Sequence, residues 1–263
     1  MSRQTTGPNA QRLLLTALPA FPLVRPGDDL ASFIAAGLQQ AGIAPADGDV
    51  IVVAQKIVSK AENRYVDLAS IIPSARAVAV AAEVGKDPRL VEVILSESRR
   101  IVRRQPNVLI VEHRLGFVMA NAGVDQSNVA AQGGVERVLL LPADPERSAE
   151  ALRAALMTRF PVRLAVVIND SFGRAWRRGA VGVALGAAGL PALIDKRGCL
   201  DLYGRSLRVT LIGYADVIAA AASLLMGQAD EGQPVVIVRG LRWSAPSVPA
   251  TALIRDPSED MFR

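Results

Sequence analysis

Three segments of this chain are unbroken runs of β-branched and other apolar residues that end on charged or amide side chains: "DVIVVAQK" from Asp49, "RLAVVINDS" from Arg163 and "PVVIVRG" from Pro234. Runs of about four to eight such residues between polar breaks read as buried strands. Shorter strand-like stretches follow at "NVLIVEHR", "GFVMANAG", "VERVLLLP" and "LRVTLIGY". Helical spacing separates them. "DDLASFIAAGLQQAG" has Asp28 and Asp29 near its start, where carboxylates suit the helix dipole, and Gly42 at its end. "DPRLVEVILSESRRIVR" offers Asp87 as N-cap, Pro88 at the first helical position and arginines toward the last turn. Two more helices are expected, in "DPERSAEALRAALMTRF" and around "ADVIAAAASLLMG". Strands and helices alternate without the regular spacing of a doubly wound sheet, so the expected class is α/β of the mixed α+β kind, in two interwoven subdomains with mixed sheets.

With 263 residues the chain can form one large domain or two small ones with a sizeable core. A hydrophobic fraction of 51% and a charged fraction of 21% describe a soluble globular protein. Aromatic residues amount to 4%, too few for a base-stacking platform, so no nucleic acid is expected as partner. The formal charge of +5 favours anionic ligands in general. Cys199 is the only cysteine and His113 the only histidine, which excludes a disulfide framework, a thiolate cluster and a histidine-rich zinc site. His113 sits in an apolar run and reads as structural, and Cys199 lacks activating neighbours. "RLLLTALPAFPLV" imitates a signal peptide but is interrupted by Pro19 and Pro22, and "VIAAAASLLMG" is too short for the roughly 20 apolar residues of a membrane span. A cytoplasmic protein with no membrane role is the expectation.

Neither G-x-x-x-x-G-K-[ST] nor G-x-G-x-x-G occurs, so neither a P-loop nor a Rossmann cradle is expected. "GVALGAAG" has the glycines at the wrong spacing and reads more simply as close packing between elements. Polar chemistry gathers instead in three islands. Asp125 and Asn128 follow an apolar segment, where an Asx-turn or N-cap would account for the aspartate. Asp170 and Ser171 emerge from a second apolar run; two such aspartates converging at one sheet end would supply hard oxygen ligands for Mg²⁺ or Mn²⁺. Lys56 and Lys60 follow a third run and are two of only four lysines among 30 basic residues. A compact ammonium there suits phosphate oxygens, and two solvated surface lysines is the plainer alternative. Arg174, Arg177 and Arg178 either bind anions or line a solvated loop.

Several long blocks together resemble the coenzyme F420-0:L-glutamate ligases, or F420-0:γ-glutamyl ligases: "FPLVRPGDDL", "GDVIVVAQKIVSKAE", "GKDPRLVEVILSESR", "NAGVDQSNV", "DSFGRAWRRG", "DLYGRSLRVT" and "LLMGQADEGQPVVIVRG". The resemblance runs from about Leu18 to Gly240. It implies an enzyme that joins L-glutamate through an amide to the carboxylate of coenzyme F420-0, with GTP as co-substrate and two divalent ions, Mg²⁺ or Mn²⁺; it leaves open whether a monovalent cation such as K⁺ takes part. By the same resemblance the nucleotide falls on Phe21, Pro22, Leu23 and Val24, on Gln55, Lys56 and Lys60, on Asn128, and on Met226, Gly227, Gln228, Ala229, Asp230, Glu231, Gly232 and Gln233. The metal ligands fall on Asp125, Asp170, Ser171 and Gln228, and Asp125, Asp170 and Lys60 carry the catalytic roles. Gln228 stands where the family has an acidic residue, which bears on the second metal, and Phe21 stands where leucine is usual.

The expected layout is a flexible segment over residues 1–12, a ligase-type catalytic domain over 13–245 and a tail over 246–263, without the C-terminal flavin-binding domain that some members carry. A homodimer is expected, partly from the family. Activation of the acceptor as an acyl phosphate explains how such a site works without a catalytic histidine or cysteine. Tyr203 and Arg205 of "DLYGR" are candidates for gripping the acidic acceptor, or form an ordered turn. The alternatives are a metal–nucleotide enzyme acting on a different carboxylate and a basic nucleic-acid-binding module, which would show a steep salt dependence.

Overall fold

The computed structural model describes residues 11–129 and 134–261. Strand β1 (Leu14–Ala17) is followed by helix α1 (Leu30–Gln40), β2 (Val50–Ala54) and α2 (Gln55–Ala61). The chain then builds β3 (Tyr65–Asp67), α3 (Ala75–Val84), α4 (Pro88–Ser96), β4 (Ser98–Gln105), β5 (Val108–His113), β6 (Val118–Ala120) and β7 (Arg137–Leu139). It returns through α5 (Pro145–Arg159) to β8 (Ala165–Arg174) and β9 (Arg177–Ala188), and continues with β10 (Leu193–Asp195), β11 (Leu211–Gly213), α6 (Tyr214–Met226) and β12 (Val235–Arg239). This is the mixed α/β architecture expected. Residues 1–10 and the last two of the tail lie outside the described residues.

The main sheet has the order β1-β12-β2-β8-β9; β2 and β8 run parallel, and the other neighbours are antiparallel. Its three central strands are the three apolar runs, and both faces are covered. Ile51, Val53, Val166, Ile168, Val235 and Ile237 pack with α1 and α5 in one core. Their alternates Val50, Val52, Ala165, Val167, Val236 and Val238 pack with α6 in another. Period-two alternation puts every second side chain on each face, so a strand buried on both must be apolar throughout. Each Val or Ile so buried contributes about 1.5–3 kcal/mol of transfer free energy.

The glycines of "GVALGAAG" lie in β9, where α6 and α5 press on it. A Cβ on Gly182 would overlap Ser223 Oγ and lie 2.6 Å from Ala219 O, and one on Gly186 would overlap the Pro145 carbonyl. The packing reading of this stretch is the correct one. A bulge between the Ile168–Gly186 and Asn169–Ala184 pairs leaves Leu185 unmatched, and the Ala184 N–H donates to Asp216 Oδ1 at 2.9 Å.

A third core lies between α2 and α5 in the chain, with Leu68, Val80, Val84, Val91, Ile94, Leu109, Val111 and Val138 among its members. It is built on a three-stranded antiparallel sheet, β4-β5-β6, and the β3-β7 pair. Glu97 ties it to the main body: its carboxylate lies 3.1 Å from Arg64 Nη2, 3.1 Å from Arg114 Nε and 3.5 Å from His113 Nε2. Burial alone would raise the Glu97 carboxyl, but His113, Arg114 and Arg64 outweigh it and hold it at about 2. His113 is fully buried and accepts from Leu115 N at Nδ1, 2.9 Å, which fits its structural reading.

Local signals locate some helix ends and miss others. Asp29 caps α1 by accepting from Ser32 N, and Asp87 caps α4 with Pro88 behind it. The α4 helix stops at Ser96, however, and the arginines expected in its last turn lie on β4. The strand expected through Tyr214 is only Leu211–Gly213, and Tyr214 opens α6. Part of the expected tail packs on the body: Val248 bridges Pro191, and Ala250 is fully buried. Among the described residues, no helix is long and apolar enough to cross a membrane.

Candidate active site

Sheet topology delivers four distant segments to one edge. The parallel register pairs Ala54 with Asn169, so α2 starts from the end of β2 beside Asp170 of β8. Antiparallel β12 starts at that edge, where Ala54 N donates to Pro234 O at 2.8 Å, and the segment before it arrives there too. β1 ends there, with Leu18 N donating to Val235 O at 2.9 Å, and hands the chain to Phe21–Val24. The carboxyl ends of parallel strands are where open α/β sheets hold ligands.

Phe21, Pro22, Leu23 and Val24, Gln55, Lys56 and Lys60, Asn128, Asp170 and Ser171, and all eight residues from Met226 to Gln233 line one cavity of about 400 Å³. Every position expected to touch a nucleotide is among them. Lys56 and Lys60 occupy the α2 helix, one turn apart, with Nζ of each turned to the 125–128 loop. Lys60 Nζ donates to Asn128 O at 2.8 Å, and Asn128 Nδ2 donates to Ala229 O at 3.0 Å, joining the loop to the C-terminal segment across the cavity. Burial and then the neighbouring Lys56 charge push the Lys60 ammonium below its usual range. Gly227 ends α6 with φ 71 and ψ −170, a conformation essentially reserved for glycine, and a Cβ there would overlap the Glu231 carboxylate.

Asp125 does not line the large cavity. It lines an adjoining one of about 270 Å³, whose wall also includes Gln55, Asp170 and Ser171. The two aspartates expected to share a cation therefore face one cavity. Lys56 Nζ reaches Asp125 Oδ2 at 2.8 Å and Ser127 Oγ at 2.5 Å, and Ser127 N donates to Asp125 Oδ1 at 2.7 Å. Burial raises the Asp125 carboxyl, but Lys56 and Ser127 outweigh it and leave it below its usual range. Asp125 is thus both the Asx-turn its local sequence allows and a carboxylate facing Asp170. For Asp170, burial dominates: against the Ser171 N–H and the Lys56 charge, and aided by Asp125, it pushes the carboxyl up to about 6.

Asp170 and Ser171 are not at a strand exit, as the sequence implied. β8 runs on to Arg174 and pairs with β9, with Asp170 opposite Val183 and Ser171 opposite Gly182. The bulge just before them turns these residues of a continuous strand toward the cavity.

No group of three or more His, Cys, Asp or Glu side chains suited to a metal occurs among the described residues. A cation here would depend on Asp125, Asp170, the Ser171 hydroxyl and, from the large cavity, the Gln228 amide. Two mutually repelling carboxylates with neutral oxygens around them fit a hard divalent cation.

Some expected residues lie elsewhere. Tyr203 and Arg205 form the ordered turn, their N–H groups donating to Asp201 Oδ1 at 2.8 and 2.9 Å, and neither lines either cavity. Arg174, Arg177 and Arg178 occupy the exposed β8–β9 hairpin, where Arg174 Nη2 donates to Arg178 O at 3.2 Å. Sequence reasoning missed Asn169, Ile57 and Pro234 in the large cavity and Asn121 in the small one. Only their adjacency to the polar islands signalled them.

Residues 20–240 match the family model described as F420-0:Gamma-glutamyl ligase. The chain belongs to this ligase family. The coenzyme F420:L-glutamate ligase of Methanopyrus kandleri is 48% identical over 256 residues, 95% of this chain and 98% of that one. The protein of the same name from Methanothermobacter thermautotrophicus is 49% identical over 87% of this chain and 89% of its own, and that from Archaeoglobus fulgidus is 40% identical over 96% and 97%.

Proposed function

We propose that the protein joins L-glutamate by an amide bond to the carboxylate of coenzyme F420-0, with GTP as the phosphoryl donor. The observation that carries this reading, beside family membership, is the wall of Gln55, Asp170 and Ser171 that the two cavities share. It places a nucleotide-sized cavity against a smaller acid-lined one. The acceptor carboxylate attacks the γ-phosphorus and GDP leaves. The glutamate amine then attacks the acyl carbon, phosphate leaves and the amine loses a proton to solvent. A free carboxylate is otherwise too poor an electrophile.

The residues' part is mainly positioning and charge. Lys56 and Lys60 offer ammonium groups to phosphate oxygens. Phe21 and the 90% exposed Leu23 give the base an apolar rim. Asp230 and Glu231 line the same cavity, and carboxylates there can accept from the guanine N1–H and 2-amino groups, a pair of donors that adenine lacks. Mg²⁺ or Mn²⁺, one or two ions held by Asp125, Asp170 and Ser171 with Gln228 as neutral ligand, would neutralise phosphate charge when bound.

A cytoplasmic homodimer suits the reading, since Leu200, Leu202, Tyr203 and Val209 are 69–100% exposed along one segment and would be covered by a second copy. The test incubates purified protein with GTP, Mn²⁺ or Mg²⁺, L-glutamate and F420-0, and follows added glutamyl units by mass spectrometry, with each component omitted in turn and ATP in place of GTP. Absence of a glutamylated product would overturn the proposal.

A further inference from the structure

The β8–β9 hairpin grows directly out of the candidate site. Asp170 and Ser171 lie on β8, and Phe172 and Gly173, the next two residues, line the small cavity. Four residues of strand beyond Asp170, roughly 13 Å, the chain reaches Arg174. Ala175 and Trp176 make the tip, and Arg177 opens β9 by pairing back onto Arg174.

Arg174, Arg177 and Arg178 are exposed, and between Asp170 and Asp195 the sequence has no acidic residue. Among the described residues none of the three is ion-paired; Arg174 Nη2 donates instead to Arg178 O at 3.2 Å. Arg174 and Arg177 are direct cross-strand partners, and like charges so placed repel each other. An anion held between them would remove that repulsion and accept their N–H groups in pairs. Trp176 stands beside them, 87% exposed and at φ 65, a backbone conformation that bulky residues rarely take. Strain of this kind gathers at ligand clamps. An open indole flanked by guanidinium groups suits a ligand that is both planar and anionic.

Resting on the ligase reading, we propose that this hairpin is the binding arm for the acceptor: the deazaflavin ring stacks on Trp176, the three arginines hold the phosphodiester, and the carboxylate extends back along β8 to Asp170 and Ser171. The acceptor carries its groups in that order, with the ring at one end, the carboxylate at the other and the phosphodiester between them. The hairpin thus sets the acceptor carboxylate against the wall that the nucleotide cavity shares.

The test compares wild type with two variants. Trp176→Gly keeps the positive φ and removes the indole; the combined Arg174→Gln, Arg177→Gln and Arg178→Gln variant removes the charge. All four side chains are exposed, so the melting temperature of each variant should match wild type. In both, KM for F420-0 should rise about tenfold or more, while KM for GTP and for L-glutamate stays within twofold. Binding without turnover separates the two halves of the arm. The chain has two tryptophans, and Trp243 packs edge-on against Tyr214, so quenching of tryptophan fluorescence by F420-0 should vanish in Trp176→Gly. The deazaflavin ring with its ribityl chain but no phosphodiester should bind wild type and the arginine variant alike. Unmoved KM for F420-0 in both variants, or an equal rise for GTP, would overturn the assignment. So would loss of single-stranded RNA binding or of dimerisation at unchanged KM for F420-0, which would give the patch to a nucleic acid or to a second copy of the chain. Wild-type ligation in the same assay separates that failure from failure of the ligase reading, which would show as no ligation by any form.

Discussion

Lys56 Nζ and Asp125 Oδ2 stand 2.8 Å apart, so a lysine expected to grip phosphate and an aspartate expected to hold a cation meet across two cores. Both side chains are partly open to solvent, 26% and 38%, and such a pair contributes at most about 1 kcal/mol to stability. Its consequence is positional: the third core delivers its loop to the edge of the main sheet with the Asp125 carboxylate already oriented.

Asp170→Asn should lower turnover by about a hundredfold or more, on the scale of losing an electrostatic contact to a transferring phosphoryl group, while the protein stays folded. The native carboxyl titrates at about 6 against an ordinary 3.8, so the native state holds the extra proton between those values. Stability from this group is present at low pH and declines as pH rises from about 4 to 6. Thermal melting across that interval should show the decline in wild type and its loss in the variant. A steep fall in the variant's Tm at pH 7.5 would mean that Asp170 is structural.

Asn128→Gly tests the bridge over the nucleotide cavity. Asn128 has φ 56, so glycine keeps the backbone and removes the side chain with its 3.0 Å bond to Ala229 O. One such bond is worth about 0.5–1.5 kcal/mol, which predicts a KM for GTP raised roughly 2- to 13-fold. Amide exchange of residues 226–233 should quicken in parallel.

Glu97→Gln should destabilise the protein by about 2 kcal/mol at pH 7, because Arg64 and Arg114 lose their partner in a half-buried setting. The folded carboxyl titrates at about 2 against an ordinary 4.5. Its contribution is therefore complete above about 4.5 and disappears as pH falls toward 2. Denaturant titrations at pH 7 and pH 3 should show the gap between wild type and variant narrowing at the lower pH.

Gly182→Ala should cost about 1–3 kcal/mol through overpacking, since its Cβ would meet the Ala219 carbonyl of α6 and that helix cannot yield locally. Gly179→Ala, in the same strand but with open space around it, is strained only by its φ of 88 and should cost less. The midpoint of denaturant unfolding measures both.

Much of the main sheet was legible because strands covered on both faces must be apolar at every position, and "VIVVA", "AVVI" and "VVIV" are written that way. Helix starts were legible where a side chain caps its own N–H groups, as Asp29 and Asp87 do. The boundary at Ser96 was not, because "SRRIVRRQ" has a charge pattern that either a helix or a half-exposed strand can carry, and only its pairing with β5 selects the strand.

The linear order of residues determined which side chains could serve: two aspartates, two lysines and a neutral amide at Gln228, with no histidine or cysteine chemistry beside them. Tertiary structure decided where they stand. Strand order and register bring the four segments to one edge, the β8 bulge turns Asp170 into the strand's own wall, and the third core carries Asp125 there. Those meetings could not be read from the order of the chain, because strand pairing and core packing join residues that lie far apart in it.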